Sequence, residues 1–131
     1  MEKPMMLCPC CSGKRLNQCC GPLLAGQHYA RTVKQLMRSR YSAFALGNHG
    51  DYLLETWHPS TRPDVSAEEL GQLDTQWIGL DVVDSSQQGD KGTVTFCAQW
   101  QDEEGQRQTH REHSRFERIT GRWYYVDGDI G

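Results

Sequence analysis

The sequence predicts an α+β fold: a cysteine knuckle at the N-terminus, then three helices, then about four antiparallel strands. Three observations carry this. Five of the six cysteines crowd between Cys8 and Cys20. Apolar residues recur at three- and four-residue intervals as far as Leu73 and at intervals of two beyond Gln76. The 131 residues, 37% hydrophobic and 24% charged, suit one small globular unit and exclude a collagen-like or low-complexity chain.

The elements follow in order. A short link succeeds Gly21-Pro22. Thr32 can cap a helix in which Val33, Leu36, Met37, Tyr41, Phe44 and Ala45 form one stripe, and Gly47-Asn48 ends it. A second short helix fits Gly50 to Thr56, and His58-Pro59-Ser60 breaks it. Ser66 with Glu69 makes a capping box for a third helix ending near Leu73. Trp77 to Val83 is rich in β-formers. Val94, Phe96, Ala98 and Trp100 alternate with Thr93, Thr95, Cys97 and Gln99. Asp102 to Gly105 is a turn, Gln106 to Ile119 a long polar strand, Thr120-Gly121 a tight turn, and Trp123 to Val126 an aromatic strand. Helices followed by strands in this order imply a curved antiparallel sheet wrapping a helical layer, with a conical cavity between them. Trp77, Trp100 and Trp123 are expected in the core, and Cys97 as a small packed side chain.

Charge is uneven. Residues 1–40 hold seven basic side chains against the single acid Glu2, and residues 41–131 hold seven against sixteen acids, within a net charge of −3. No window approaches the roughly 18 apolar residues of a membrane span. Met1 to Leu7 lacks the apolar run of a signal peptide, so the expected location is cytoplasmic. Thiols stay reduced there, and bridges among cysteines so close together would close only tiny loops.

Two cysteine clusters separated by a turn are what a tetrahedral zinc needs, because a short loop can then wrap the ion. Ser12-Gly13 supplies the turn. Lys14 and Arg15 offset the charge of the thiolates. Five cysteines compete for four places, and composition leaves the ligand set open.

The stretch Cys8-Pro9-Cys10-Cys11-Ser12-Gly13-Lys14, then a basic spacer, then Cys19-Cys20, resembles the SEC-C motif, the zinc module known from the C-terminus of the SecA translocation ATPase. That resemblance implies Cys8, Cys10, Cys19 and Cys20 as ligands of one zinc per chain. Cys11 stands where the motif usually has glycine or another small residue. Adjacent side chains ordinarily diverge, so joint ligation by Cys19 and Cys20 is the demanding part of this set. The whole chain resembles the bacterial YchJ family through Leu36-Met37-Arg38-Ser39-Arg40-Tyr41-Ser42-Ala43-Phe44, Tyr52-Leu53, Thr56-Trp57-His58-Pro59-Ser60, Trp77-Ile78-Gly79-Leu80, Glu112-His113-Ser114-Arg115-Phe116 and Trp123-Tyr124-Tyr125-Val126-Asp127-Gly128. The family implies a SEC-C-like motif over 1–24 joined to a nuclear-transport-factor-two-like domain over 25–131, and it brings no established activity. Many members carry a second SEC-C motif at the C-terminus, which is not expected here. His113 stands where the family more often has arginine.

Other candidates are weighed against plain structural roles. Arg38 and Arg40 border the first helix's apolar stripe. They either pair with an acid such as Glu112 or Asp127, or join Tyr41 as an anion clamp in the cavity. His58, after Trp57, is a cap or a general base oriented by Asp127. One of Tyr124 and Tyr125 faces the cavity, by strand alternation. On the long strand, Arg111, His113 and Arg115 share one face, and His110, Glu112 and Phe116 the other.

The leading expectation is a non-catalytic protein-interaction module. It docks through its basic zinc knuckle on a protein partner, by resemblance one of the secretion or translation apparatus. The alternative is a small-molecule binder or enzyme using the cone, with His58, Asp127 and Tyr41 as catalytic candidates and Arg38, Arg40, Trp57, Glu112, Arg115 and Tyr125 lining the pocket. A homodimer through the open sheet face is a third reading. The knuckle lacks interleaved aromatic residues, and the chain as a whole is acidic, which argues against nucleic acid.

Overall fold

The structure, a computed structural model, describes residues 6–73 and 75–130. Most of the Met1–Leu7 stretch and Gly131 lie outside the described residues. The order is a single 3-10 turn, Leu16–Gln18, then α1 (Gly21–Leu24), α2 (Val33–Leu46), α3 (Gly50–Glu55), α4 (Ala67–Leu70), β1 (Gln76–Gln88), β2 (Lys91–Gln101), β3 (Arg107–Ile119) and β4 (Arg122–Ile130). The strands form one antiparallel meander, β1-β2-β3-β4.

Local chemistry accounts for the helix ends. The Thr32 hydroxyl accepts from the Gln35 N–H, and that of Ser66 from the Glu69 N–H, so each fills an orphan donor of the first turn. α2 ends where Gly47 takes φ 75 and Asn48 φ 61. Two bounds differ from expectation. The link after Gly21 is helical, because Pro22 at the first turn is pre-set for a helix. α4 stops at Leu70 rather than near Leu73, and Gly71 there packs against the start of α3.

β1 and β4 run further than their apolar patterns. Pairing decides this: Gln88 faces Lys91 across a two-residue turn with Gly89 at φ 61, so the polar stretch 84–88 is held by its partner strand. β4 likewise continues to Ile130 against Glu112. Thr120 and Gly121, at φ 50 and 81, close the last hairpin as a type I′ turn.

α2 lies across the inner sheet face. Val33, Leu36, Met37, Tyr41 and Ala43 share one buried cluster with Leu80, Val94, Phe96, Ala98, Phe116 and Trp123 of the sheet. Cys8, Cys10 and Cys20 belong to the same cluster, so the cysteine loop packs on the body. Trp123 is buried, while Trp77 and Trp100 are half-buried. Cys97 lies half-buried on the outer face beside Arg111.

Candidate functional site

Residues 6–20 form a small hairpin-like loop. Leu7 bridges Arg15, the Cys8 N–H donates to the Lys14 carbonyl, and Cys11 and Gly13 turn the chain at φ 64 and 84. Cys11 therefore adopts the left-handed backbone that a glycine would take at lower cost. The Sγ atoms of Cys8, Cys10, Cys19 and Cys20 all lie within 4.8 Å of one another. Cys10 and Cys19 sulfurs are 3.6 Å apart, and those of Cys19 and Cys20 are 3.9 Å apart. A tetrahedral ion bonded to thiolates at about 2.3 Å spaces its sulfurs by about 3.8 Å, so the cluster fits such an ion. Adjacent Cys19 and Cys20 converge because the backbone breaks between them. Cys19, ending the 3-10 turn, has ψ −103, while Cys20 is already helical at the start of α1. Thiols of Cys20 and Cys8 turned toward Cys10 hold its thiol far below the usual range, and Cys20 is raised in return. Burial raises Cys19.

The second feature is a cavity of about 380 Å3 between α2 and the inner sheet face. Arg40 is buried, and its Nη1 donates to the Leu53 carbonyl at 2.8 Å and to Thr56 Oγ1 at 2.6 Å. Its guanidinium lies 4.9 Å from the Trp57 ring centroid and 4.7 Å from that of Tyr125. Burial pushes Arg40 down to about 10, partly opposed by Tyr125, Tyr52 and Glu112. Across the cavity, Glu112 Oε2 accepts from Ser114 Oγ at 2.5 Å and from the Tyr125 hydroxyl at 3.1 Å, and His110 Nε2 lies 3.2 Å from Oε1. Burial first, then Glu112, raises Tyr125, and burial raises Tyr41 to about 12. A Cβ on Gly128 would overlap the Glu112 carboxylate, so this acid needs a glycine opposite it.

A family profile described as "YchJ, middle NTF2-like domain" matches residues 32–128. The chain belongs to the YchJ family. A UPF0225 protein of Sodalis glossinidius is 44% identical over 126 residues, covering 92% of this chain and 81% of that protein. One from Bordetella parapertussis is 46% identical over 136 residues, with 99% of both chains covered. The solution structure of a SEC-C motif containing protein from Rhodopseudomonas palustris superposes with a TM-score of 0.87 at 39% identity, over 96% of this chain and 99% of that one.

In this YchJ-family protein the expected pocket residues divide. Tyr41, Arg40, Trp57, Glu112 and Tyr125 line the cavity. The other expected members lie elsewhere. Arg38 points to the cysteine loop, where Nη1 donates to the Cys10 carbonyl at 2.6 Å. Arg115 is on the outer sheet face, bonded to Asp127 at 2.6 Å and Asp129 at 2.7 Å. Asp127 is on that face because a bulge separates the pairs Arg115–Asp127 and Phe116–Tyr125, reversing the alternation after Tyr125. Hence Tyr125, not Tyr124, faces the cavity. His58 is also outside. Its backbone pairs with Tyr125, and its ring sits 2.7 Å from Ser60 Oγ and 3.7 Å from Glu117, not beside Asp127. Arg40 takes carbonyl, hydroxyl and aromatic partners rather than a carboxylate.

His110 and Ser114 also line the cavity, beyond the expected pocket residues. Their parity with Glu112 and Phe116 was the available signal. Tertiary packing also regroups the basic residues: Lys14 of the loop and Lys34 and Arg38 of α2 line one groove beside Cys19 and Cys20. Ser42 Oγ of α2 lies 3.4 Å from Cys8 Sγ, and Ser12 Oγ 3.2 Å from Cys19 Sγ. All six cysteines are free thiols. Among the described residues, no helix is long and apolar enough to cross a membrane.

Proposed function

We propose that this protein binds one zinc through Cys8, Cys10, Cys19 and Cys20 and acts as a non-catalytic module, docking on a protein partner through the basic groove beside that site. The observation that carries this is the juxtaposition of a closed cluster of four sulfurs within 4.8 Å with a groove lined by Lys14, Lys34 and Arg38 and, among the described residues, by no carboxylate. The metal, when bound, supplies the bonds that order a loop otherwise too short to hold itself. Four thiolates leave no open position for a reacting group, which is the pattern of a structural site.

The chain's own residues do the rest. Arg38 and Ser42 seat the loop on α2, and Ser12 steadies the Cys19 sulfur. Lys14 and Lys34 are exposed and free of ion pairs among the described residues, so they can meet acidic groups of a partner. By resemblance the partner class is the secretion or translation apparatus, in the cytoplasm. The motif over 1–24 then supplies the metal site and one wall of the docking groove, and α2 of the 25–131 domain supplies the other. The outer sheet face carries Arg115, Asp127 and Asp129, and a homodimer through it would have to bury these charges.

Native mass spectrometry tests the metal: one zinc per chain, lost with chelator and in Cys19→Ser but kept in Cys11→Ser. Docking is tested by comparing partners retained by the wild type and by a zinc-loaded Lys14→Glu/Lys34→Glu variant. Identical retained proteins would refute the docking reading and leave the metal site standing. Of the catalytic candidates of the enzymatic alternative, His58 and Asp127 lie outside the cavity and Tyr41 lines it.

A further inference from the structure

The cavity holds a cation that, among the described residues, makes no ion pair with a carboxylate. Arg40 is 4% exposed. Its Nη1 is committed to Leu53 and Thr56, whereas Nε and Nη2 donate to no acceptor among the described residues. These idle nitrogens are not sealed in packed protein. The sealed unpartnered polar atoms among the described residues are the indole nitrogens of Trp57 and Trp123. The idle edge of Arg40 therefore faces the cavity that the residue lines. Glu112, the acid lining the same cavity, is engaged by Ser114, Tyr125 and His110 and makes no ion pair with Arg40. Much of the remaining wall is apolar: Met37, Phe44, Trp77 and Phe96.

We propose that this cavity binds a planar aromatic molecule bearing one carboxylate, held by the Nε–Nη2 edge of Arg40 with its ring among Met37, Phe44, Trp77 and Phe96. Two carboxylate oxygens match two parallel N–H donors of a guanidinium, and the charge-assisted pair is about twice as strong as a neutral one. A neutral acceptor would fill the donors and leave the cation uncompensated. A phosphate dianion would bring a second negative charge into a largely apolar space already holding Glu112. The cavity's 380 Å3 lies at the small end of ligand pockets, which favours a one- or two-ring body. This inference goes beyond the docking reading and is independent of it, since the groove with Lys14 and Lys34 is a separate site.

The test is isothermal titration calorimetry of the zinc-loaded full chain with 2-naphthoate and 2-naphthamide, probes of equal shape and different charge. The expected result is 1:1 binding of naphthoate, about tenfold or more tighter than the amide. Ala98 lines the cavity and lies away from Arg40's hydrogen bonds, so Ala98→Leu fills the space and is expected to abolish naphthoate binding while its thermal transition persists. Arg40→Met is expected to remove the preference for the acid; should it fail to fold, Ala98→Leu still decides. Lys34→Ala is expected to leave naphthoate binding unchanged. Equal affinity for the two probes, unaltered binding by Ala98→Leu, loss of binding in Lys34→Ala, or no binding of either probe at millimolar concentration would each overturn the proposal.

Discussion

Arg40→Met separates what the buried cation costs from what it stabilises. Methionine keeps the apolar stem and removes the guanidinium. Burial lowers Arg40 from its ordinary 12.5 to about 10, and at about 1.4 kcal/mol per pKa unit the variant sheds about 3 kcal/mol of charge burial. Against this stand the two Nη1 hydrogen bonds to Leu53 and Thr56, about 1.5–3 kcal/mol each for a charged donor. The contacts with the Trp57 and Tyr125 rings are also lost, about 1 kcal/mol each. The losses exceed the gain by about 2–5 kcal/mol, which for a chain of this size lowers Tm by about 7–18 °C. The assay is thermal unfolding of both zinc-loaded proteins followed by circular dichroism. Between pH 6 and 9 Arg40 is protonated folded and unfolded alike, so the gap holds constant across that window. A variant as stable as the wild type would refute the claim that these contacts outweigh the burial of charge. A gap that varies over that pH range would refute the protonation argument.

Two further predictions concern the frame around the sites. At Gly50 a Cβ would lie 2.6 Å from the Ala67 carbonyl carbon and 2.8 Å from Gly71 N, so Gly50→Ala forces α3 and α4 apart. It is expected to cost about 3 kcal/mol, read as a lower urea midpoint, and an unchanged midpoint would show that this crossing is not close-packed. The ammonium of Lys91, 2.8 Å away, holds the Glu117 carboxyl below the usual range, with a smaller contribution from His58. A carboxylate lowered in the folded state stabilises above its unfolded pKa, and that stability is lost as pH falls through the lowered value. The Tm gap between wild type and Lys91→Ala is therefore expected at pH 6 and to close toward pH 3; a gap constant over that range would rule the pair out as its source.

The cysteine loop and the helices were legible because their signals are local. The capping residues Thr32 and Ser66, the Gly47-Asn48 stop and the two cysteine clusters each act within a few residues of themselves, and the structure places them accordingly. The family resemblance rested on such stretches too, and it extended to the NTF2-like architecture. The cavity was legible in its helix-borne members, Arg40 and Tyr41, and in Glu112 on the strand.

The remaining features depend on pairing across distance. The polar ends of β1 and β4 are strands because a partner strand holds them, not because of their own composition. One bulge opposite Arg115 and Phe116 sends Tyr125 inward and Asp127 outward, and a single extra residue in a period-two pattern leaves no mark in the sequence. Arg38 and Arg40, two residues apart, part company because a helix turns about 200° between them, sending one to the cysteine loop and the other to the cavity. Local signals in the chain are enough for a helix-backed sheet and a paired cysteine cluster, and the family resemblance names the four of five cysteines that gather in it. Packing determined which cations face each site, because that depends on where α2 lies between the loop and the sheet.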